Sequence, residues 1–276
     1  MDEKIIAIYC LCDDILKSMK HYEDPQRKMS DAEVMTTALV AVVFFRGNFE
    51  DVRTFLKDYH YIPHMLSKSR FNRRLHHIKA LFLTLFNLLG QIWKELNRES
   101  IYSIDSFPVA VCDNSRIPRA KIYQNEDYRG YIASKRRYFY GLKIHLAVTK
   151  EGQPVEFFLT PGSFSDIKGL NVFEFDLPEG STIFADKAYN DYEMEDLLVE
   201  AAKIRLLPLR KRNSKRAFPM YVEFIQHTYR KTIETAGSLI ERILPKSIHV
   251  VKAQGFELKV VLFVLALSVS HYLNSL

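Results

Sequence analysis

Residues 101–111, IYSIDSFPVAV, decide how the chain is read. The stretch is rich in β-branched and aromatic residues, which favour a pleated, half-buried strand. Asp105 stands in its middle. A carboxylate is costly to bury unless it is paired or bound to a metal, so this acid demands a reason. Downstream, residues 137–149 (RYFYGLKIHLAVT) form a long strand pattern, Gly152 marks a turn, and residues 154–159 (PVEFFL) supply the hairpin partner. Beyond these three strands, which read as antiparallel, the pattern changes. A short helix is expected at 166–173, a strand at 181–185, a helix at 192–202 and a strand at 204–209. Two helices, about 221–243 and 256–273, close the chain. The sum is an α/β domain: a mixed sheet flanked by helices.

Working back from residue 101, residues 1–98 read as helical throughout. Ser30-Asp31-Ala32-Glu33 is a capping box opening the apolar run 34–45, which Gly47-Asn48 ends. A shorter helix follows at 51–59, and Pro63 breaks the chain. In Ser67-Lys68-Ser69-Arg70-Phe71-Asn72-Arg73-Arg74-Leu75, Arg70, Arg73 and Arg74 lie on the early turns of a helix whose apolar face holds Phe71 and Leu75. A helix-turn-helix reader places such a helix in a DNA groove; a solvated amphipathic helix has the same pattern. A long helix at 79–96 completes the all-α N-terminal region. The expected organisation is therefore 1–98 as a helical region and 99–276 as the α/β domain.

Composition limits the function classes. The 276 residues carry 39 Lys and Arg against 33 Asp and Glu, a net charge of +6 and a pI near 9.0, which suits an anionic partner. Cys10, Cys12 and Cys112 are too few for a disulfide scaffold and lack the spacing of a zinc site. The longest apolar run, 260–270 (VVLFVLALSVS), is shorter than the roughly 18–20 residues of a membrane span and reads as a buried core helix. With no leader pattern at Met-Asp-Glu-Lys, a cytoplasmic protein without a membrane partner is expected.

Two further acids join Asp105. Asp186 ends the apolar run Ser181-Thr-Ile-Phe-Ala-Asp186, and ligand sites of open α/β sheets gather at carboxyl ends of strands. Glu234 follows Arg230 by one helical turn; the pair also reads as an ordinary helical ion pair. Asp113 sits in a turn signal, and Asp166 reads as an N-cap. If Asp105, Asp186 and Glu234 converge, their mutual repulsion raises their pKa values. Divalent cations with oxygen preference, above all Mg²⁺, remove that penalty. Two such ions about 3.5–4 Å apart serve an in-line phosphodiester displacement.

The succession Ser-Ile-Asp105-Ser-Phe-Pro, Tyr140-Gly-Leu-Lys143-Ile-His145, Phe-Ala-Asp186-Lys-Ala-Tyr189 and Arg230-x-x-x-Glu234 resembles the DDE transposases of bacterial insertion sequences. The resemblance implies a ribonuclease-H-like catalytic domain. Its triad would be Asp105, Asp186 and Glu234, binding two Mg²⁺ with Mn²⁺ able to substitute. It implies cleavage at the ends of an element and transfer of the 3′-hydroxyl into target DNA. The partners would be terminal inverted repeats and target DNA, engaged by a homo-oligomer in the bacterial, nucleoid-associated cytoplasm. His227 stands where related enzymes carry Tyr, and Glu241 where they carry Lys. Lys143, His145 and Arg230 become candidate DNA contacts. So do Arg210 and Arg212, in the basic loop 210–216 (RKRNSKR). A metal-dependent nuclease of the same fold and a catalytically silent DNA-binding relative are the alternative readings.

Overall fold

The sheet is built on β1 (Ile101–Asp113). In a computed structural model describing residues 1–132, 135–244, 248 and 250–276, β1 pairs antiparallel with β3 (Arg137–Val148), Ser103 opposite Val148 and Asp105 opposite Leu146. The side chain of Asp113, weighed above as a turn acid, lies outside the described residues. The register slips at a bulge between Ala110 and Cys112, where Gly141 packs so closely that a Cβ would lie 2.2 Å from the Val109 carbonyl oxygen. β2 (Arg129–Ile132), a strand the hydrophobic pattern did not reveal, takes one end of β3's far edge. β4 (Pro154–Pro161) takes the rest of that edge. On its other side β1 runs parallel to β5 (Thr182–Ala185), and β5 runs parallel to β6 (Arg205–Pro208).

This mixed sheet, ordered β2/β4–β3–β1–β5–β6, is ribonuclease-H-like, as expected. β1 pairs with β5 over 101–104, and from Asp105 onward that edge has no ladder partner among the described residues. Pro108, which cannot donate to a ladder, is tolerated there.

The chain forms two compact units, Met1–Leu88 with Ile240–Leu276, and Leu89–Leu239. The first contains α1 (Asp2–Ser18), α2 (Asp31–Phe44), α3 (Phe49–Asp58), α4 (Lys68–His77) and α9 (Ala253–Ser275). The capping box is formed: Ser30 Oγ accepts from the Glu33 amide at 3.1 Å, and the Ser30 amide donates to Glu33 Oε2 at 2.7 Å. α2 and α9 are buried on nearly every side, so each needs apolar neighbours all round. They pack on each other. The last helix, which chain order groups with the sheet, thus joins the N-terminal helices. Its 23 residues are long and apolar enough to cross a membrane, unlike the shorter run read from the sequence, yet 72% of its apolar window is buried inside the protein.

The second unit holds the sheet, α6 (Asp166–Leu170), α7 (Tyr192–Ala202) and most of α8 (Met220–Ile243). α5 (Lys79–Leu96) crosses from one unit to the other in sequence. Within the second unit, Lys94 at its end forms a buried ion pair with Glu156 of β4 at 2.8 Å.

Candidate active site

The parallel register between β1 and β5 sets Ile104 beside Ala185. The next residue on each strand is an acid, so Asp105 and Asp186 emerge side by side where the two strands part. Asp186 also starts a short turn, accepting a hydrogen bond from the Lys187 amide. α8 closes the cleft: Gln226, Arg230 and Ile233 line it with Ile104, Asp105 and Asp186, and the free volume is only about 10 Å³. Arg230 Nη1 lies 3.3 Å from Asp186 Oδ1, and its Nε lies 2.6 Å from Glu234 Oε1. One guanidinium therefore bridges two of the three expected acids.

Asp105 is half-buried, and burial pushes its carboxyl up to about 6. The negative charges of Asp186 and Asp166 push in the same direction, while the Ser106 amide, at 2.7 Å, and Arg230 oppose it. The position of Asp166 corrects its reading as an N-cap. Ser165 caps α6, accepting from the Lys168 amide. The Asp166 carboxylate instead accepts from Ser106 Oγ at 2.6 Å and from Lys143 Nζ at 3.3 Å. The sequence signal for this was the Ser immediately before it, an equally good cap. Gln226 was also missed. It is 1% exposed, its amide nitrogen donates to the Leu207 carbonyl at 3.0 Å, and its Oε1 has no partner among the described residues.

Several expected DNA contacts are placed otherwise. His145 is wholly buried, stacked on Phe158, with Nδ1 3.1 Å from Tyr189 Oη and Nε2 3.0 Å from Thr160 Oγ1. Burial lowers its pKa to about 4, so the ring is neutral and reaches no phosphate. Arg210 forms a two-point ion pair with Glu195 at 2.6 and 2.7 Å, its side chain 5% exposed. It stabilises the loop rather than offering a free cation. Arg74 turns back to Asp31 and the Met29 carbonyl. Lys143 is half-buried and donates to the Phe164 carbonyl at 2.8 Å as well as to Asp166. Arg70, Arg73 and Arg212 are exposed.

The donor set suits a hard divalent cation: carboxylate oxygens dominate, no sulfur takes part, and Gln226 Oε1 is an unsatisfied oxygen in the cleft wall. The raised pKa of Asp105, due first to burial and then to the charges of Asp186 and Asp166, marks a carboxylate anion that a cation would stabilise. The triad is not drawn together to ligand spacing, however. Among the described residues, the group of three whose ligand atoms all lie within 4.8 Å of one another is His21, Glu23 and Asp31, in the first unit. There Asp31 already accepts from His21 and Arg74. In the cleft, the Arg230 guanidinium balances Asp186 and Glu234.

The family described as Transposase DDE domain matches residues 96–248, more than half of the chain. No curated protein and no solved structure matches.

Proposed function

This chain belongs to the transposase DDE domain family, and from that membership we propose that it is a transposase that cuts DNA at the ends of an element and joins the 3′-hydroxyl to target DNA. Membership makes it a nucleic-acid-processing enzyme, with DNA as partner and divalent metal ions as its cofactor class. The finer reading assigns Asp105, Asp186 and Glu234 as the acids, two Mg²⁺ as the cations, and residues 1–98 as a DNA-binding region. It has the protein acting as a homo-oligomer on inverted repeats in the cytoplasm. The observation that carries it is the β1–β5 register, which sets Asp105 beside Asp186 under α8.

Asp105 and Asp186 would hold the cations, with Glu234 completing the set once it leaves Arg230. Mg²⁺, when bound, supplies Lewis acidity to the phosphate oxygens. Asp105, with a pKa of about 6, is mostly ionised at neutral pH and so ready to act as a ligand. Arg230, freed from Glu234, presents a planar cation to a DNA phosphate. Ser106, Asp166 and Lys143 hold the strand that carries Asp105.

The test is incubation of the full chain with DNA flanking its own gene, with and without Mg²⁺. Wild type should give cut and joined products only with Mg²⁺. Asp186→Asn should reduce cutting by about a hundredfold or more, as removal of a principal electrostatic group does, while DNA affinity stays within about twofold. Undiminished cutting by that variant rejects the assignment.

A further inference from the structure

We infer that the first unit binds the phosphodiester backbone of DNA in the groove between α3, α4 and the start of α9, not along the arginine face of α4. The inference rests on the DNA-acting reading above and deepens it by naming the surface. α4 separates two grooves of nearly equal size. One, about 900 Å³, carries Arg70, Arg73, Arg74 and Lys28. Those cations share it with Glu23, Asp24 and Asp31, and Arg74 is already committed to Asp31. Acids that close to a phosphate path repel it, and one of the three arginines, Arg74, is already paired with an acid.

The other groove, about 880 Å³, carries Lys68, Lys79, Lys252, Lys259 and Arg53 against a single acid, Glu50. Glu50 is itself held by Arg53 at 2.7 Å. Lys68, Lys79 and Lys252 are exposed and form no ion pair among the described residues. The floor is apolar and buried: Phe71, Leu75, Leu258 and Leu262 are each 6% exposed or less. A strongly positive groove with no unpaired acid is built for a polyanion. Asn72 and Gln254 line the same groove and are suited to donate to phosphate oxygens, as such side chains commonly do in DNA complexes. Two of its sides come from residues nearly two hundred positions apart in the chain, on α4 and α9. The basic pattern of α4 alone therefore points to the wrong face.

The experiment is fluorescence anisotropy of a labelled DNA duplex with the full chain in EDTA, over a series of salt concentrations. Three proteins are compared: wild type, the triple variant Lys68→Gln, Lys79→Gln, Lys252→Gln, and the double variant Arg70→Gln, Arg73→Gln. Each neutralised phosphate contributes about 0.9 to the slope of log affinity against log salt. The triple variant should lower that slope by about 2–3 and the affinity at about 0.1 M salt by tenfold or more. The double variant should change both by much less. All three substituted lysines are exposed, so melting temperatures should match wild type. A triple variant with wild-type affinity and slope overturns the groove, as does an equal or larger loss in the arginine variant. Wild type that binds no DNA overturns both the groove and the transposase reading.

Discussion

Asp105 concentrates the electrostatic tension of the site. Its carboxyl rises to about 6 in the folded protein, against about 3.9 in an unfolded chain. Between those values the native state holds a proton that the unfolded state lacks. The native state therefore gains stability as pH falls from 6 to 4, and loses it as pH rises through the same window. Above pH 6 the loss is complete, on the order of 2 kcal/mol for a half-buried group. His145 acts in the opposite sense. Its folded pKa is lowered to about 4, so acidification from 6.5 to 4 favours the unfolded chain. The two slopes offset each other in wild type, and a substitution separates them. In EDTA, Asp105→Asn should melt several degrees above wild type at pH 7–8, with the gain shrinking toward zero by pH 4. Melting curves across pH measure this, and a gain independent of pH would refute the raised pKa. The rise at Asp105 was legible only on the condition that the acids meet, and the fall at His145 was out of reach of the sequence. Alternation along residues 137–149 shows that His145 faces one side of a strand, but not that Phe158, Thr160 and Tyr189 enclose it.

At the scale of elements, periodicity located most strands and helices, because each buries a face whose spacing repeats. The capping box at Ser30 and Glu33 was readable because its two hydrogen bonds are local. β2 was not, since four residues paired to one end of β3 carry no period of their own. The relation between elements was also hidden. Nothing in the lettering says that Ile104 faces Ala185, and that pairing alone brings the two aspartates together. The link between α5 and β4 is of the same kind. Lys94 and Glu156 are nearly buried, 2.8 Å apart, and Lys94 Nζ also donates to the Asp176 carbonyl at 2.6 Å. Burial raises the pKa of Glu156, while Lys94 opposes the rise. Removing one partner strands a charge in low dielectric, whereas removing both does not. Lys94→Met should destabilise by about 3–5 kcal/mol, and Lys94→Met with Glu156→Met should recover most of that loss. Denaturant unfolding of the two variants checks this. A double variant as unstable as the single one would show that packing, not charge, holds the junction.

For the whole molecule, the informative feature is that the chain leaves the helical unit, builds the sheet and returns. Sequence order suggested a single passage from helices to sheet near residue 98, because adjacent residues are the default neighbours. The return is driven by α2. Its residues from Ala32 to Val42, Glu33 excepted, are buried, and helices of about its length cannot cover such a surface by themselves. α9 supplies the cover with its own buried run from Val260 to Val269. Its length and hydropathy also satisfy a membrane span, so two roles predict opposite results for its removal. A span is dispensable to the fold of the unit it anchors, and deleting it leaves the remaining helices protected and more soluble. A core helix is not dispensable. Its loss uncovers α2 and forfeits, for each fully buried Leu, Val or Phe, about 1.5–3 kcal/mol. That sum over α9 exceeds the usual 5–15 kcal/mol stability of a domain. Truncation before Ala253 should therefore collapse hydrogen-exchange protection in α1 and α2 and expose dye-binding apolar surface. Amides of β1 and β3, in the other compact unit, should keep their protection. Protected α1 and α2 amides in the truncated protein would assign α9 to a bilayer instead.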